Sequence, residues 1–449
     1  MSTDGKTGFN KIMSMFVDYF GMGRTASIAG MILVTLVIIF ACFWFFHTAP
    51  PKTITMTSGE KGSAYYSVAG KYAKILARDG VKLVILPSAG SAENLQRLVD
   101  PAFKVDIGFV QAGLAKGQNI DKLVSLGSVS YQPLLVFHRL PQPVEVLSQL
   151  TGKRIAIGQE GTGTRKLALS LLSVNGIEPG GATTLLDAEG EEAAAALVAG
   201  KADAIFLTAD SASSQTMRTL FRAPGVGLVN FAQADAYVRR IGYLNKLTIP
   251  KGAMEFGNNV PAQDVTLVSP TVELIARDNL HPALSDLLLA AAIEIHGRAA
   301  LFQNRGDFPA PLENEFKISD DAKRFYKSGK SFFYRYLPFW MASLINRILV
   351  VFVPLIIILI PGMKSIPALF RWRMQLRINR WYRLLLLVEQ NTIKQEKIEN
   401  QDWLNQRLDE IESEVNKMKV PASYGEQFYM LRTHINFVRN KLQTAKSNR

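Results

Sequence analysis

Two long apolar runs decide how the rest of this 449-residue chain can be arranged. The first run, residues 26–46, contains no charged residue, and the second, residues 348–363, has an apolar extension that begins upstream at residue 337. About 20 apolar residues are enough to cross the hydrocarbon core of a bilayer as a helix. We therefore predict transmembrane helices at 26–47 and 338–363. A cleaved signal peptide is the alternative for the first run, but no small-x-small cleavage site follows it.

Basic residues around the two runs predict the orientation of the chain. Lys6, Lys11 and Arg24 precede the first run, and a basic group follows the second: Lys364, Arg371, Arg373, Arg377, Arg380 and Arg383. Such residues flank transmembrane helices on the cytoplasmic side. We therefore predict a two-pass protein of a bacterial inner membrane, in which 1–25 and 364–449 are cytoplasmic and 52–335 is periplasmic.

The net charge of +13 does not indicate nucleic acid, because much of the excess is local. Residues 363–449 hold 16 Lys and Arg against 9 Asp and Glu. Within this tail, 371–383 interleaves basic and aromatic residues, which next to a membrane helix predicts contact with anionic lipid headgroups. Arg347, inside the extended second run, either reaches outward to the interface or contacts a partner helix.

Further along the tail, two amphipathic stripes predict a helical hairpin, whose two heptads per arm are the minimum pattern of a coiled coil. Apolar residues recur at spacings of three and four from Leu404 to Met418 and again from Phe428 to Leu442, on either side of Pro421. Such a hairpin either packs on itself or docks a cytoplasmic protein or permease subunit through 384–445. The sequence leaves these alternatives open.

The segment between the membrane helices alternates short β-branched runs with helical stretches, which predicts a mainly parallel α/β sheet. The predicted strands include Thr53–Thr57 and Ala204–Leu207. Three turns rich in Gly, Ser and Thr, at 58–63, 87–91 and 158–164, each follow a strand and precede a helix. Backbone N–H groups at such helix N-termini favour an anion, and ligands of open α/β sheets gather at the carboxyl ends of strands. We expect the three turns to converge on one small anion.

The sequence predicts neither an enzyme nor a metal or cofactor site. The glycines of 158–163 have P-loop spacing, but Thr164 and Arg165 occupy the positions that require Lys and Ser or Thr. The five histidines form no convincing ligand pair, and Cys42 is the single cysteine. No nucleophile elbow of the form Gly-x-Ser-x-Gly occurs.

Several motifs in order resemble the TAXI family, the solute-binding proteins of tripartite ATP-independent periplasmic (TRAP) transporters. They are Ser58-Gly-Glu-Lys-Gly-Ser-Ala-Tyr-Tyr-Ser-Val-Ala-Gly70, Ser88-Ala-Gly-Ser-Ala-Glu-Asn-Leu-Gln-Arg-Leu98, Val105-Asp-Ile-Gly-Phe-Val-Gln111, the 158–164 turn and Thr248-Ile-Pro-Lys-Gly252. The resemblance spans about 52–300. It implies a two-lobed periplasmic-binding-protein clamshell of type II, with lobe one at 52–135 and 245–335 and lobe two at 136–244.

The resemblance also implies a ligand, a small carboxylate or amino acid such as glutamate, and the residues that line its site. The expected ligand-binding residues are Ser63, Tyr65, Tyr66, Ser88, Gly90, Ser91, Asn94, Gln111, Thr162, Thr164 and Arg165. All except Arg165 supply neutral donors or aromatic walls, typical of a pocket for a small polar ligand. Arg165 either pairs with a carboxylate through two bonds or is a solvated helix residue. Only one of the adjacent Tyr65 and Tyr66 is expected to face the ligand.

Two functions fit these features. In the first, a membrane-tethered subunit captures a solute and delivers it to a TRAP-type permease. In the second, the domain is a ligand sensor, or a scaffold, that signals through the cytoplasmic hairpin to a partner. No kinase, cyclase or methyl-accepting segment is present in the sequence, so a sensor would have to recruit its output.

Overall fold

The computed structural model describes residues 24–208, 212–330, 332–394, 401–418, 420 and 424–447. The predicted cytoplasmic segment before residue 24 and most of the proline turn at 420–423 lie outside these ranges. The chain forms two compact units, one from the stretches before Pro50 and after Ile345, the other from Pro50–Ile345.

The helices of the described residues agree in type with the alternating pattern of the sequence. In chain order they are α1 Arg24–His47, α2 Ala64–Arg78, α3 Ser91–Val99, α4 Gly163–Val174, α5 Gly190–Val198, α6 Ser214–Arg222, α7 Ala234–Arg240, α8 Pro282–His296, α9 Asp320–Ser328, α10 Phe332–Tyr336, α11 Phe339–Lys394, α12 Gln401–Lys417 and α13 Gly425–Ser447. A short 3-10 helix covers Leu147–Leu150.

The strands of the described residues form two separate sheets, which confirms the predicted α/β class. The strands are β1 Thr53–Thr57, β2 Lys82–Leu86, β3 Ile107–Gln111, β4 Leu123–Tyr131, β5 Leu135–His138, β6 Arg154–Ala156, β7 Thr184–Leu186, β8 Ala204–Leu207, β9 Gly227–Leu228, β10 Leu244–Ile249 and β11 Val265–Arg277. The first sheet has the order β10-β11-β3-β1-β2, with β4 on β11, and the second has the order β7-β6-β8-β5-β9.

Both sheets are mixed, where the sequence predicted mainly parallel strands. In the first, β1 lies parallel to β2 and β3, while β11 runs antiparallel to β3, β4 and β10. In the second, β6 lies parallel to β7 and β8, while β5 runs antiparallel to β8 and β9. The chain crosses from the first sheet to the second after β4 and returns at β10. This two-crossover arrangement is that of a periplasmic-binding-protein-like domain.

Helices cover both faces of each sheet, as the hydrophobic alternation requires. On the first sheet, α2 and α8 close one core around Tyr72 and Phe109, and α3 closes the opposite face around Leu95. On the second sheet, α4 packs on one face and α5 on the other. Every helix N-terminus that follows a parallel strand is therefore held at the carboxyl edge of its sheet.

Residues 310–328, near the end of this domain, bind along β4 at the edge of the first sheet, and we call this segment the strap. Backbone bonds of 2.8 and 2.9 Å join Ser128 and Ala310 in both directions, and Ser125 N donates to Lys317 O at 2.8 Å. The Tyr326 hydroxyl at the end of the strap donates to Leu126 O at 2.9 Å. Phe339, the first residue of α11, packs on the same core. The chain therefore passes from the first sheet, through the short helix α10, into its second apolar helix.

Two helices are long and apolar enough to cross a membrane, as predicted. Among the described residues these spans are Ile28–His47 in α1 and Phe339–Gly362 in α11. The guanidinium of Arg347 lies 4.9 Å from the ring centroid of Phe45, a cation–π contact between the two helices. Of the two alternatives for Arg347, the structure has the contact with a neighbouring helix.

The tail is helical before Met418 and after Tyr424, and a third helix packs with these two. Helix α11 continues without a break from the apolar span to Lys394, so the basic 371–383 stretch belongs to the same helix. Leu385 and Val388 of α11 share a core with Leu408 of α12 and Leu431 of α13. The tail is thus a three-helix bundle, which the sequence predicted only as a two-helix hairpin.

Candidate functional site

Six buried polar side chains meet where the two sheets approach each other, and we call them the inter-sheet cluster. From the first sheet side come Tyr65 near the start of α2, Ser91 at the start of α3, Gln111 at the end of β3, and Gln132 just after β4. From the second side come Thr164 in the first turn of α4 and Thr208 directly after β8. None is more than 6% exposed. The cluster lies at the carboxyl ends of β3 and β8, where open α/β sheets bind their ligands.

A continuous path of hydrogen bonds joins the members of the cluster. Ser91 Oγ donates to the Tyr65 hydroxyl at 3.2 Å, and that hydroxyl donates to Gln132 Oε1. Gln132 Nε2 donates to Gln111 Oε1 at 3.0 Å and to Thr208 Oγ1 at 2.8 Å. Thr208 and Thr164 share a bond of 2.6 Å between their hydroxyls. Gln132 therefore links the two sheets through a single side chain.

Asn94 organises a second set of polar groups at the carboxyl end of β1. Its Oδ1 accepts bonds from Thr57 Oγ1 at 2.6 Å and Ser88 Oγ at 2.7 Å. Its Nδ2 donates to Phe109 O at 2.9 Å and to Ser58 O. A fully buried amide with four partners fixes the loops after β1 and β2 relative to β3. Ser88 and Asn94 thus hold the framework beside the cluster.

Two of the expected site residues cap helices. Ser63 Oγ accepts from Tyr66 N at 3.2 Å at the start of α2, and Thr162 Oγ1 accepts from Arg165 N at 3.1 Å at the start of α4. Both are N-cap positions, where Ser and Thr satisfy otherwise unpaired backbone donors. The structure does not bring either side chain into the hydrogen-bonded path. The sequence pattern alone did not separate capping from ligand binding.

The remaining expected residues lie around the cluster or away from it. Gly90 is the N-cap of α3 and has a φ of 151°. Tyr66 is half-buried and lies outside the path that includes Tyr65. Arg165 Nη1 donates to Asp187 Oδ1 at 2.6 Å and to Gly158 O at 2.9 Å, so its charge is already paired. The structure does not bring Arg165 to the cluster.

The second and third predicted turns touch each other. Glu93 N, in the first turn of α3, donates to Gly161 O at 2.9 Å. Gly161 has a φ of +89°, and a Cβ there would lie 3.2 Å from Ala89 Cβ. Glycine at this position therefore allows both the backbone conformation and the close approach. The first turn joins the second through the bond from Ser88 Oγ to Ser58 O, at 2.6 Å.

The cluster itself contains no ionisable acid or base other than the Tyr65 phenol. Acidic groups whose pKa is shifted lie elsewhere in the domain. Burial raises the pKa of Glu273 on β11, with a further contribution from Glu315, although Asn314 donates to Glu273. A hydrogen bond from Arg154 lowers the pKa of Asp203 in the second sheet. Within the described residues, no group of three His, Cys, Asp or Glu could hold a metal ion.

Sequence reasoning missed Gln132 and Thr208. Thr208 follows a strand that the sequence predicted, Ala204–Leu207, so the rule that ligands gather at strand ends could have identified it. Gln132 lies in the connection between the sheets, with no local motif. Its partners Tyr65 and Thr208 are 67 and 76 residues away. The arrangement as a whole can bind a compact polar molecule by exchanging internal hydrogen bonds for bonds to the ligand.

Solved structures with a similar fold come from several bacteria. They include a protein of Bordetella bronchiseptica RB50 (15% identity, 62% of this chain and 99% of that chain, TM-score 0.40). A second is the periplasmic aliphatic sulphonate binding protein of Escherichia coli (15% identity, 55% of this chain and 73% of that chain, TM-score 0.34). A third is MatC of Rhodopseudomonas palustris with bound malate (17% identity, 54% of this chain and 84% of that chain, TM-score 0.34). At these identities and TM-scores the likenesses do not bear on function.

A search of curated proteins found no match. In the scan against family models, the NMT1-like family matches residues 56–281. The matched range begins within β1, includes every member of the inter-sheet cluster, and ends just before α8. Because this range is just over half of the 449 residues, the chain belongs to the NMT1-like family.

Proposed function

We propose that the protein is a membrane-tethered, extracytoplasmic solute-binding subunit that captures a small carboxylate or amino acid. The observation that carries this proposal is the inter-sheet cluster, in which one side chain, Gln132, bonds to groups from both sheets. A ligand bound there would contact both halves of the domain and stabilise their closed arrangement. The family match and the fold support binding, and no catalytic group lies in the cluster.

The chemistry of the cluster favours a compact ligand with several hydrogen-bonding groups. Amide and hydroxyl side chains both donate and accept, so they suit a carboxylate or an amino acid equally. The first turns of α3 and α4 add the partial positive charge of helix N-termini, which stabilises an anion without a paired arginine. In this proposal Tyr65, Ser91, Gln111 and Thr164 contact the ligand. The other expected residues, Ser63, Tyr66, Ser88, Gly90, Asn94, Thr162 and Arg165, shape the surrounding loops.

In the proposed topology both termini are cytoplasmic and the domain is outside. Lobe one is formed by 52–135 together with 245–335, and lobe two by 136–244. The two lobes close on the solute, which a TRAP-type permease then accepts. The sequence motifs that resemble the TAXI family support the transporter class. The exposed Arg373, Arg377 and Arg380 are proposed to contact anionic lipid headgroups. The bundle at 384–445 is the proposed contact for a permease subunit or a cytoplasmic protein.

The connectivity favours the tethered subunit over the sensor. β1 begins six residues after α1 ends, and the strap of the same sheet leads into α11. Both covalent links to the apolar helices therefore leave from the first sheet. A sensor requires that ligand binding move the two membrane helices relative to each other. Movement of the second sheet would not do this by itself, because neither helix is linked to that sheet.

Thermal shift of the full chain in nanodiscs tests the proposal. A panel of small carboxylates and amino acids should include a compound that raises the melting temperature, because a ligand that binds only the folded state adds about 2.7 kcal/mol at 100 times its Kd. Thr164→Val should reduce that shift, and the matched Thr219→Val, exposed on α6, should retain it. A panel with no shift for the wild type would contradict solute binding.

A further inference from the structure

The three-helix bundle of the tail carries an apolar groove on its outer face. The groove has a volume of about 550 Å³ and lies between α11 and α13. Its apolar lining comes from Tyr382, Tyr429, Met430 and Phe437. Tyr429, Met430 and Phe437 are 70%, 61% and 56% exposed. Large exposed apolar residues grouped in this way mark an interaction site.

Helix α13 therefore has two apolar faces, of which the bundle buries one. Leu431, Ile435 and Val438 pack in the core with α11 and α12. Met430 and Phe437, seven residues apart, lie on the neighbouring face and line the groove. A surface helix normally has one apolar stripe. The second stripe on α13 has the form of a groove that accepts an amphipathic helix.

The rim of the groove is polar and carries charges of both signs, with Glu426 among the lining residues. His434 Nε2 lies 3.3 Å from Glu389 Oε2, and Lys441 Nζ lies 3.5 Å from Glu389 Oε1. Lys441 also lies 5.7 Å from the ring centroid of Phe437. A strongly charged occupant would have to displace these contacts. The rim favours an occupant whose own charge is balanced.

The N-terminal segment has the sequence of such an occupant. Phe9, Ile12, Met13, Phe16, Val17 and Phe20 recur at the spacing of one helix face, and Lys11 and Asp18 fall on the opposite face. Residues 1–23 contain two Lys and two Asp, so their net charge is zero. A helix that lies on anionic lipid normally has a strongly basic polar face, which this segment lacks.

The length of chain before α1 allows the segment to reach the groove. Tyr382 lies 20 residues beyond the end of the apolar span of α11, or about 30 Å along the helix. Phe20 lies eight residues before the span of α1, within about 20 Å of it, and a helix over 9–20 would extend about 16 Å farther. The segment and the groove therefore overlap in distance from the two spans. We propose that residues 9–20 bind as a helix in the groove formed by Tyr382, Tyr429, Met430 and Phe437, and complete a four-helix bundle.

Disulfide cross-linking in the full chain, in membranes, tests this assignment. Cys42, the single cysteine, is first replaced by Ser. Phe16→Cys with Met430→Cys should then form a bond within one chain, whereas the matched Lys11→Cys with Met430→Cys, from the polar face, should form at least tenfold less. In a separate variant, Phe16→Asp should lower the melting temperature of the tail without changing any ligand-induced shift of the periplasmic domain.

Each other outcome overturns the proposal in a recognisable way. A bond between two chains would assign the groove to a second copy, and equal bonding of both pairs would mean that no defined face binds. Absence of both bonds, with Phe16→Cys shielded from a water-soluble maleimide, would assign the segment to lipid. Labelling of Lys11→Cys from the periplasmic side would show that the proposed topology is wrong. A normal thermal shift in the same protein would leave solute binding intact.

Discussion

The two sheets of the periplasmic-type domain differ in how they are held. The first sheet carries the link from α1 at β1, the strap at its β4 edge and the link into α11. The chain enters the second sheet at 132–134 and leaves it at 241–243, and β11 also packs in the cores of the second sheet. The first sheet therefore carries all three of these links to the chain on either side of the domain, and the second sheet carries none of them. Any ligand-driven motion is expected in the second sheet.

The largest effect should follow from loosening the strap of the first sheet. Gly127 has a φ of +120°, and a Cβ at this position would collide with the Tyr326 hydroxyl and lie 2.8 Å from Ala310 O. Gly127→Ala should therefore lower the free energy of unfolding by about 3 kcal/mol or more, from backbone strain and displaced packing. Chemical denaturation of the full chain in detergent would measure this loss.

Gly70→Ala is the matched control for that substitution. Gly70 lies in α2, and a Cβ there would meet nothing within 4 Å. Alanine in a helix interior should raise stability by about 0.5–1 kcal/mol. Equal stability of Gly127→Ala and wild type would mean that the strap does not fasten the first sheet, and the contrast between the sheets would lose its basis.

The sequence predicted the local parts of the fold better than the way they meet. β1 and β8 coincide with the runs Thr53–Thr57 and Ala204–Leu207, because β-branched and apolar residues bounded by polar turns specify a strand locally. The antiparallel role of β11 was missed, since its pairing with β3, β4 and β10 depends on strands far away in the chain.

The candidate site shows the same division. A Ser or Thr before a helix has one sequence signature for two roles, so Thr162 was grouped with Thr164 although only Thr164 joins the cluster. Tyr65 and Tyr66 differ by about 100° around α2, and packing decided which of them reaches Gln132. Gln132 itself has no local pattern, because its role arises from three partners that only the folded chain brings together.

The second prediction concerns the side chain that joins the two sheets. Gln132→Ala removes the partner of the Tyr65 hydroxyl and of Gln111 Oε1 and leaves buried polar groups with fewer bonds. The expected loss is about 2–3 kcal/mol in unfolding free energy, together with a smaller ligand-induced thermal shift. Gln118→Ala, at an exposed position, should change neither quantity. If Gln132→Ala were as stable as the control, the bond path would not couple the sheets.

The third prediction compares equivalent caps in the two halves. Ser63→Ala removes the N-cap of α2 beside the first sheet, and Thr162→Ala removes that of α4 beside the second. Each should cost about 1 kcal/mol of unfolding free energy. Ligand affinity, measured by titration calorimetry, should fall little in either variant and clearly in Thr164→Val. A larger loss of affinity in Thr162→Ala than in Thr164→Val would place the ligand at the cap instead of the cluster.

The smallest expected effect is a difference in pH dependence between the sheets. Burial raises the pKa of Glu273 in the first sheet above its ordinary 4.5, so the folded state retains its proton longer than the unfolded state. Stability from this group is present below pH 4.5 and is lost as the pH rises through the folded pKa. The hydrogen bond from Arg154 instead lowers the pKa of Asp203 in the second sheet below 3.8. Stability from that group is present above pH 3.8 and is lost as the pH falls through the folded pKa.

Glu273→Gln and Asp203→Asn should therefore change opposite ends of the stability profile. Glu273→Gln should remove the loss of stability above pH 4.5, so the variant should match or exceed the wild type near pH 7. Asp203→Asn should lose stability near pH 7 and show a weaker further loss in acid. Melting temperatures of the wild type and both variants, measured at about every half pH unit from pH 3 to 8, would check the direction of each stability change. If both substitutions changed the pH dependence of the melting temperature in the same direction, the proposed opposite effects of Glu273 and Asp203 would be wrong.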